Sequence, residues 1–200
     1  MVVAVGEPAK PLSRKDALIG AILRIVGEHG LERVSVREVA SAVGVSIGTV
    51  QHYFPTKDAM LVAAFSEVVR RIRARVAAVE LGPDVRANLS AVLRELLPLD
   101  AVRAEEVRIQ VAFAARAVTE PSLAAIQRGV LGEITAELAE AFARTPAGGD
   151  PELAARLALA GVDGLAQHAV SSGAHPPSAE LTEALDHLIA LLVTASAWSR

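Results

Sequence analysis

Apolar residues recur every three or four positions along this 200-residue chain, and Ser, Thr, Asp, Gly or Pro interrupt the recurrence at short intervals. That period is the mark of amphipathic helices, and the interruptions are residues that favour helix ends. Ser13, with Asp16 three residues on, opens a first predicted helix whose stripe is Leu18, Ala21, Ile22, Ile25 and Val26 and which stops near His29 at Gly30. Leu31 and Val34 plug the following loop into the same small core. Ser35 and Glu38 have the spacing of a capping box, in which each side chain satisfies an unpaired backbone N–H of the other residue. Val36, Val39, Ala40 and Val43 follow at i, i+3, i+4, i+7. Gly44 ends this second helix, since glycine adopts the left-handed terminal conformation without a Cβ penalty. Ser46 caps a third helix with Ile47, Val50 and Phe54 as its apolar positions. Gly48, Thr49, Gln51, His52 and Tyr53 are left for other faces. Two short helices around a tight Gly-Val-Ser turn predict a helix-turn-helix over Ser35–Lys57.

Pro55-Thr56-Lys57 breaks the chain, and Thr56 caps a long fourth helix over 57–80 with the stripe Met60, Leu61, Ala64, Phe65, Val68, Ile72, Val76 and Val79. Arg70, Arg71, Arg73 and Arg75 in its second half suit either DNA phosphates or the solvated C-terminal end of a helix. Asp84 caps a fifth helix to Leu97, and Asp100 caps a sixth over 101–118. Pro121 occupies the first turn of a seventh, where a missing N–H costs nothing, and that helix runs to Arg144. Asp150-Pro151 repeats the device for an eighth, to Ser172, and a ninth covers 179–197. Nothing reads as a strand or a repeat. The expected fold is all-α: a flexible arm at 1–12, a helix-turn-helix domain at 13–57, the connecting helix, and a helical ligand-binding and dimerisation bundle at 81–200.

Composition supports helices, with 52% apolar residues but only 3% aromatics, and Ala and Leu prominent. The absence of cysteine excludes disulfide and thiolate chemistry. The start lacks the basic n-region of a signal peptide, and no apolar run reaches the roughly 18 residues of a membrane span. A cytoplasmic chain with no membrane partner is the expectation. Charge becomes informative once the chain is divided. Residues 1–75 hold 11 Lys or Arg against 7 Asp or Glu, and residues 76–200 hold 9 against 16. A basic segment around the helix-turn-helix fits phosphate neutralisation, and an acidic remainder keeps off the duplex.

The pieces Gly30-Leu31, V-S-V-R-E-V-A, G-V-S-I-G-T-V and Y-F-P-T-K, with the nine-helix layout, resemble the TetR family of bacterial transcriptional regulators. V-R-I-Q-V-A-F-A-A-R-A, the following Glu-Pro and G-V-D-G-L are similar to the subgroup typified by the choline-responsive bet-operon repressor. The resemblance implies a homodimer that binds a palindromic double-stranded DNA operator and releases it when a small-molecule effector occupies the C-terminal domain. Carried onto matching positions, it implies phosphate contacts from Ser35 and Arg37, and base and backbone contacts from Ser46, Gly48, Thr49, Gln51 and His52. It also implies phosphate contacts from the Tyr53 hydroxyl and from Lys57, with Phe54 in the core. Many members carry Tyr where this chain has Gln51, and a glutamine can pair bidentately with adenine.

The eighth and ninth helices are the expected dimer interface. Leu157, Ala158, Gly161, Gly164, Leu165 and Ala169 form a small-residue stripe, and Leu181, Leu185, Leu188, Ile189 and Leu192 a larger one ending near Trp198. Two such hairpins about a two-fold axis would leave no apolar face exposed, and an intrachain core is the competing use. The resemblance places an effector pocket among the fourth to eighth helices, with Arg108, Gln110, Arg116, Asp163 and the apolar Phe113 as candidate walls. Asp163, inside an apolar helix, demands an arginine, a capping partner or a cationic ligand, because an unpaired buried carboxylate is costly. Quaternary ammonium sites favour aromatic cages, which so few aromatics cannot build, so a mostly apolar effector other than choline is expected.

An enzyme or metal protein is the opposing reading. Histidines 29, 52, 168, 175 and 187 lack paired-ligand spacing, no nucleophile elbow or phosphate loop occurs, and the adjacent Glu105 and Glu106 read as a solvated surface. No catalytic residue, metal or cofactor is expected. A third reading keeps DNA binding without a ligand, as a constitutive, protein-regulated or activating factor.

Overall fold

The computed structural model describes residues 13–145, 149–172 and 178–194. The arm expected at 1–12, the loop centres at 146–148 and 173–177 with His175, and Trp198 lie outside the described residues. Among the described residues all regular structure is helical: α1 (Arg14–His29), α2 (Val36–Val43), α3 (Ile47–Tyr53), α4 (Lys57–Ala77), α5 (Val85–Arg94), α6 (Ala101–Ala117), α7 (Pro121–Phe142), α8 (Pro151–Ser171) and α9 (Ser178–Thr194), with a 3-10 turn at Leu31–Arg33.

Side-chain caps begin seven of these helices. Ser13, Ser35, Ser46, Thr56, Asp84, Asp100 and Asp150 each accept a backbone N–H two or three residues on. Each such cap contributes about 1 kcal/mol. The Ser13–Asp16 pair forms the reciprocal box. At Ser35 only half of the expected box exists, because the Glu38 carboxylate turns to Arg33 at 3.8 Å. Gly44 is left-handed at φ 73°, ψ 37°, and so ends α2. α5 stops three residues earlier than the spacing predicts. Pro98 disfavours the helical conformation of Leu97, and the chain leaves the helix through turns in which Leu96 and Leu97 donate to Leu93 and Arg94.

Three apolar clusters organise the helices. Leu18, Ile22, Val39, Val50, Phe54, Met60 and Ala64 fill the core of α1–α3 and the start of α4, and Ile109 of α6 joins them. Leu89, Leu93, Leu138, Leu159, Leu185 and Ile189 are among those filling the bundle of α5–α9. Between them, Leu61, Phe65, Phe113, Ala117 and Leu123 join α4, α6 and α7. Ile47, expected on the apolar face of α3, is instead 44% exposed, and Val45 from the turn packs against the core.

Glu105 and Glu106, expected on a solvated surface, are instead half-buried and buried. Glu106 is 3% exposed and accepts hydrogen bonds from Arg75 at 2.7 and 3.2 Å. Glu105 lies against α1, where a Cβ on Gly27 would fall 2.1 Å from its Cγ. Burial there raises its carboxyl above the ordinary carboxylate range. Glu106 shares a stripe with Ile109, Phe113 and Ala117, a signal of burial that its charge obscures.

The four arginines of α4 are held by acidic partners. Arg70 and Arg71 bind Glu67, Arg73 binds Glu133 with Glu137 3.7 Å away, and Arg75 bridges Glu95 and Glu106. Arg103 closes the network onto Glu95 at 3.1 Å. Burial disfavours the charge on Arg75, but the hydrogen bonds from its guanidinium to Glu106 and Glu95 outweigh that cost and raise its pKa. The second half of α4 is thereby clamped to α5, α6 and α7.

Candidate nucleic-acid interface and effector cavity

Capping and burial orient α3. Ser46 accepts the Thr49 N–H at 3.1 Å, and the two hydroxyls are hydrogen-bonded at 2.8 Å. Val50 and Phe54 are buried, which turns Gly48, Gln51 and His52 outward into solvent. Tyr53 is also exposed, its ring edge-on to His52 at 5.2 Å. Ser35 and Arg37 are exposed at the start of α2, and Thr49 is half-buried. Lys57 is half-buried too, and its Nζ donates to the Glu32 carbonyl at 3.4 Å. Ile47 adds an apolar side chain to this surface that periodicity assigned to the core.

A cavity of about 600 Å³ lies among α4, α5, α6, α7 and α8, within the size range of small-molecule sites. Phe65, Val69, Ile72 and Val76 of α4, Leu89, Val92 and Leu93 of α5, Val107 and Val111 of α6, and Val130, Leu131 and Ile134 of α7 make its wall chiefly apolar. Of the five candidate wall residues, Gln110 and Asp163 line the cavity and three do not. Phe113 is fully buried behind the wall, stacked on Phe65 with centroids 4.0 Å apart. Arg116 points to the start of α4, where it pairs with Asp58 at 3.0 Å and holds that carboxyl below its ordinary range. Arg108 is half-buried elsewhere on α6. Polar wall residues missed in the sequence include Gln127 and Gln167. Gln127 interrupts the apolar run Leu123, Val130, Leu131, Ile134, Leu138 at helical spacing, which was the available signal.

Asp163 makes no hydrogen bond or ion pair among the described residues. Its side chain is exposed to water at the cavity wall, yet the surrounding protein partly desolvates it and pushes its carboxyl up to about 6. Because the folded-state value is raised, this group's contribution to stability is fully present below the unfolded value of 3.8 and is lost as pH rises through about 6. Asp163→Asn should therefore stabilise the chain at pH 7.5 by about 1 kcal/mol, a figure reduced for screening by cavity water. The gain should fade towards pH 4. Urea unfolding at several pH values reads this, and an Asn variant no more stable than wild type at pH 7.5 would rule out the desolvation.

The expected interface stripes divide. Leu185 is fully buried in the chain's own core, and Leu165 and Leu192 pack against it. A Cβ on Gly161 would fall 2.3 Å from Leu188, so these two residues meet within the α8–α9 pair. Leu157 (40% exposed) and Leu191 (62%) face outward, and a Cβ on Gly164 would meet only open space. A stripe in sequence does not distinguish an intrachain from an interchain contact, and here most of it is used within the chain.

Residues 18–64 match the family described as bacterial regulatory proteins, tetR family, and residues 85–194 match BetI-type transcriptional repressor, C-terminal. An HTH-type transcriptional regulator BetI from Burkholderia cenocepacia is 34% identical over 191 residues, 90% of this chain and 95% of its own. A second, from Stenotrophomonas maltophilia, is 30% identical over 154 residues, 76% of this chain and 79% of its own. Among solved structures, a transcriptional regulator from Rhodococcus sp. Rha1 is similar at a TM-score of 0.84 and 42% identity, covering 92% of this chain and 97% of that one. A Saccharomonospora viridis protein in complex with choline has a TM-score of 0.79 at 18% identity over 88% of this chain and 95% of its own, a likeness of fold alone.

Proposed function

The chain belongs to the TetR family of bacterial transcriptional regulators, with a BetI-type C-terminal domain, and from that premise we propose a repressor that holds a palindromic operator as a homodimer and releases it when a small molecule enters the cavity. The observation that carries this reading is the double membership of α4. Met60 and Ala64 belong to the DNA-binding core, whereas Phe65, Val69, Ile72 and Val76 line the cavity. A ligand that moves the second half of α4 moves a helix rooted beside α3. The cavity's size and apolar wall favour ligand gating over a ligand-independent regulator.

In this mechanism Gly48 lets α3 approach the major groove closely, and Gln51 reads a base edge beside His52. Thr49 and Ser46 hold the backbone, while Ser35, Arg37, Tyr53 and Lys57 meet phosphates. Lys57 leaves Glu32 to do so. Leu157, Gly164 and Leu191 lie at a two-fold contact between α8–α9 pairs, which sets two recognition helices about 34–36 Å apart. Such a protein works in the cytoplasm, where its operator is. Effector and operator then share a reciprocal coupling free energy, typically about 1–3 kcal/mol.

Two substitutions separate reading from holding. Gln51→Ala should cost about 1–3 kcal/mol on the preferred sequence and little on random DNA. Lys57→Ala should weaken both alike and lower the salt slope by about one. Fluorescence anisotropy on both DNAs across salt concentrations measures these effects. Equal losses for Gln51→Ala on specific and random DNA would remove its base-reading role.

A further inference from the structure

Among the described residues the charged groups of the cavity wall are Arg73, Glu137, Arg144 and Asp163, and its other polar groups are four side-chain amides, which both donate and accept. Arg73 stands 3.7 Å from Glu137 and also pairs with Glu133, one guanidinium against two carboxylates, so it leaves no positive charge free for a ligand. Arg144 lies beyond the C-terminal end of α7, whereas Gln127 is in the second turn of that helix, about 22 Å from Phe142 at 1.5 Å per residue. Asp163 is then an acidic group with no partner among the described residues, in an otherwise largely apolar enclosure. The side-chain oxygen of Gln127 in the neighbouring helix is buried and also lacks a hydrogen-bond partner among the described residues. An ionised Asp163 can only accept, and the Gln127 oxygen accepts as it is placed, so a ligand that meets both must bring N–H or O–H donors, and a positive charge is favoured beside the carboxylate.

Resting on the ligand-gated reading above, we infer that the cavity takes a mostly hydrophobic amine whose primary or secondary ammonium donates hydrogen bonds to Asp163 and Gln127. A carboxylate ligand would add like charge beside Asp163. An alcohol brings one donor but no charge, and charge-assisted hydrogen bonds are roughly twice as strong as neutral ones. A quaternary ammonium has charge but no N–H, and is recognised through aromatic faces. Among the described residues Phe65 is the single aromatic ring in this wall, and Phe113 is stacked over it at 4.0 Å. The site thus differs in kind from one selecting choline. Leaving Asp163 charged and unpaired is a cost that the folded chain already bears, and a bound ammonium removes it.

Calorimetric titration of the full chain with four probes that share an eight-carbon chain tests this: octylamine, octyltrimethylammonium, octanol and octanoate. Octylamine should bind about tenfold or more tightly than the other three. Asp163→Asn should bring octylamine level with octanol, and Gln127→Leu should narrow the margin over octyltrimethylammonium. Any other probe binding as tightly as octylamine, or an unchanged ranking in Asp163→Asn, would overturn the inference. DNA release is measured separately on the sequence that the chain prefers. If octylamine binds with the expected ranking but leaves DNA affinity unchanged, the site's chemistry stands and the release reading fails. If octanoate binds best and releases DNA, release stands and the amine is wrong.

Discussion

Arg75→Ala is expected to lower the stability of the folded chain by about 3 kcal/mol in urea unfolding, because it leaves a buried carboxylate without its main partner. Glu106 is 3% exposed and takes two hydrogen bonds from Arg75. Arg71, 3.9 Å away, offers only partial compensation, whereas Glu95 keeps Arg103 at 3.1 Å. The double variant Arg75→Met, Glu106→Leu should recover most of the loss, since replacing both partners removes the desolvation cost together with the attraction. A single variant within 1 kcal/mol of wild type would mean that water reaches Glu106. This clamp is what ties the end of α4 to α5 and α6, so the same variant should also weaken any coupling between effector and DNA.

The second large effect is expected at Phe113. Its ring is fully buried and stacked on Phe65 with planes 12° apart, in the cluster that joins α4, α6 and α7. Phe113→Ala should cost about 3–5 kcal/mol, the sum of lost transfer free energy and the void left behind. Phe113→Leu should cost much less. A loss below about 1.5 kcal/mol for alanine would show that the joint collapses around the gap. The void would open directly behind the cavity wall, so ligands bulkier at the Phe65 end should gain affinity relative to wild type.

Local chemistry explains why so much of the fold was legible. Caps at Ser13, Ser46, Thr56, Asp84, Asp100 and Asp150 act within three residues of themselves, and helical stripes declare themselves within two turns. What failed depends on partners distant in sequence. Glu106 reads as solvated because Arg75 is 31 positions away, and Arg116 reads as a pocket residue because Asp58 is 58 away. Ile47 fits an apolar period, but α3 has only seven residues, and Val45 packs against the core from outside the helix. On the candidate site, Asp163 and Gln110 were legible as polar residues among apolar ones, and Gln127 carried the same signal unread. The split of the α8–α9 stripes between core and surface depends on how the two helices meet, which their periodicity leaves undetermined.

The central claim is that α3, presented twice by a dimer, reads a symmetric DNA sequence. Selection of bound duplexes from a random-sequence pool tests it most directly. The expected result is an enriched two-fold symmetric motif whose half-sites lie about one helical turn, or 34–36 Å, apart. In Gln51→Ala the preference at one position of each half-site should relax. Recovery of no preferred sequence, or of a single asymmetric site unchanged by Gln51→Ala, would contradict it.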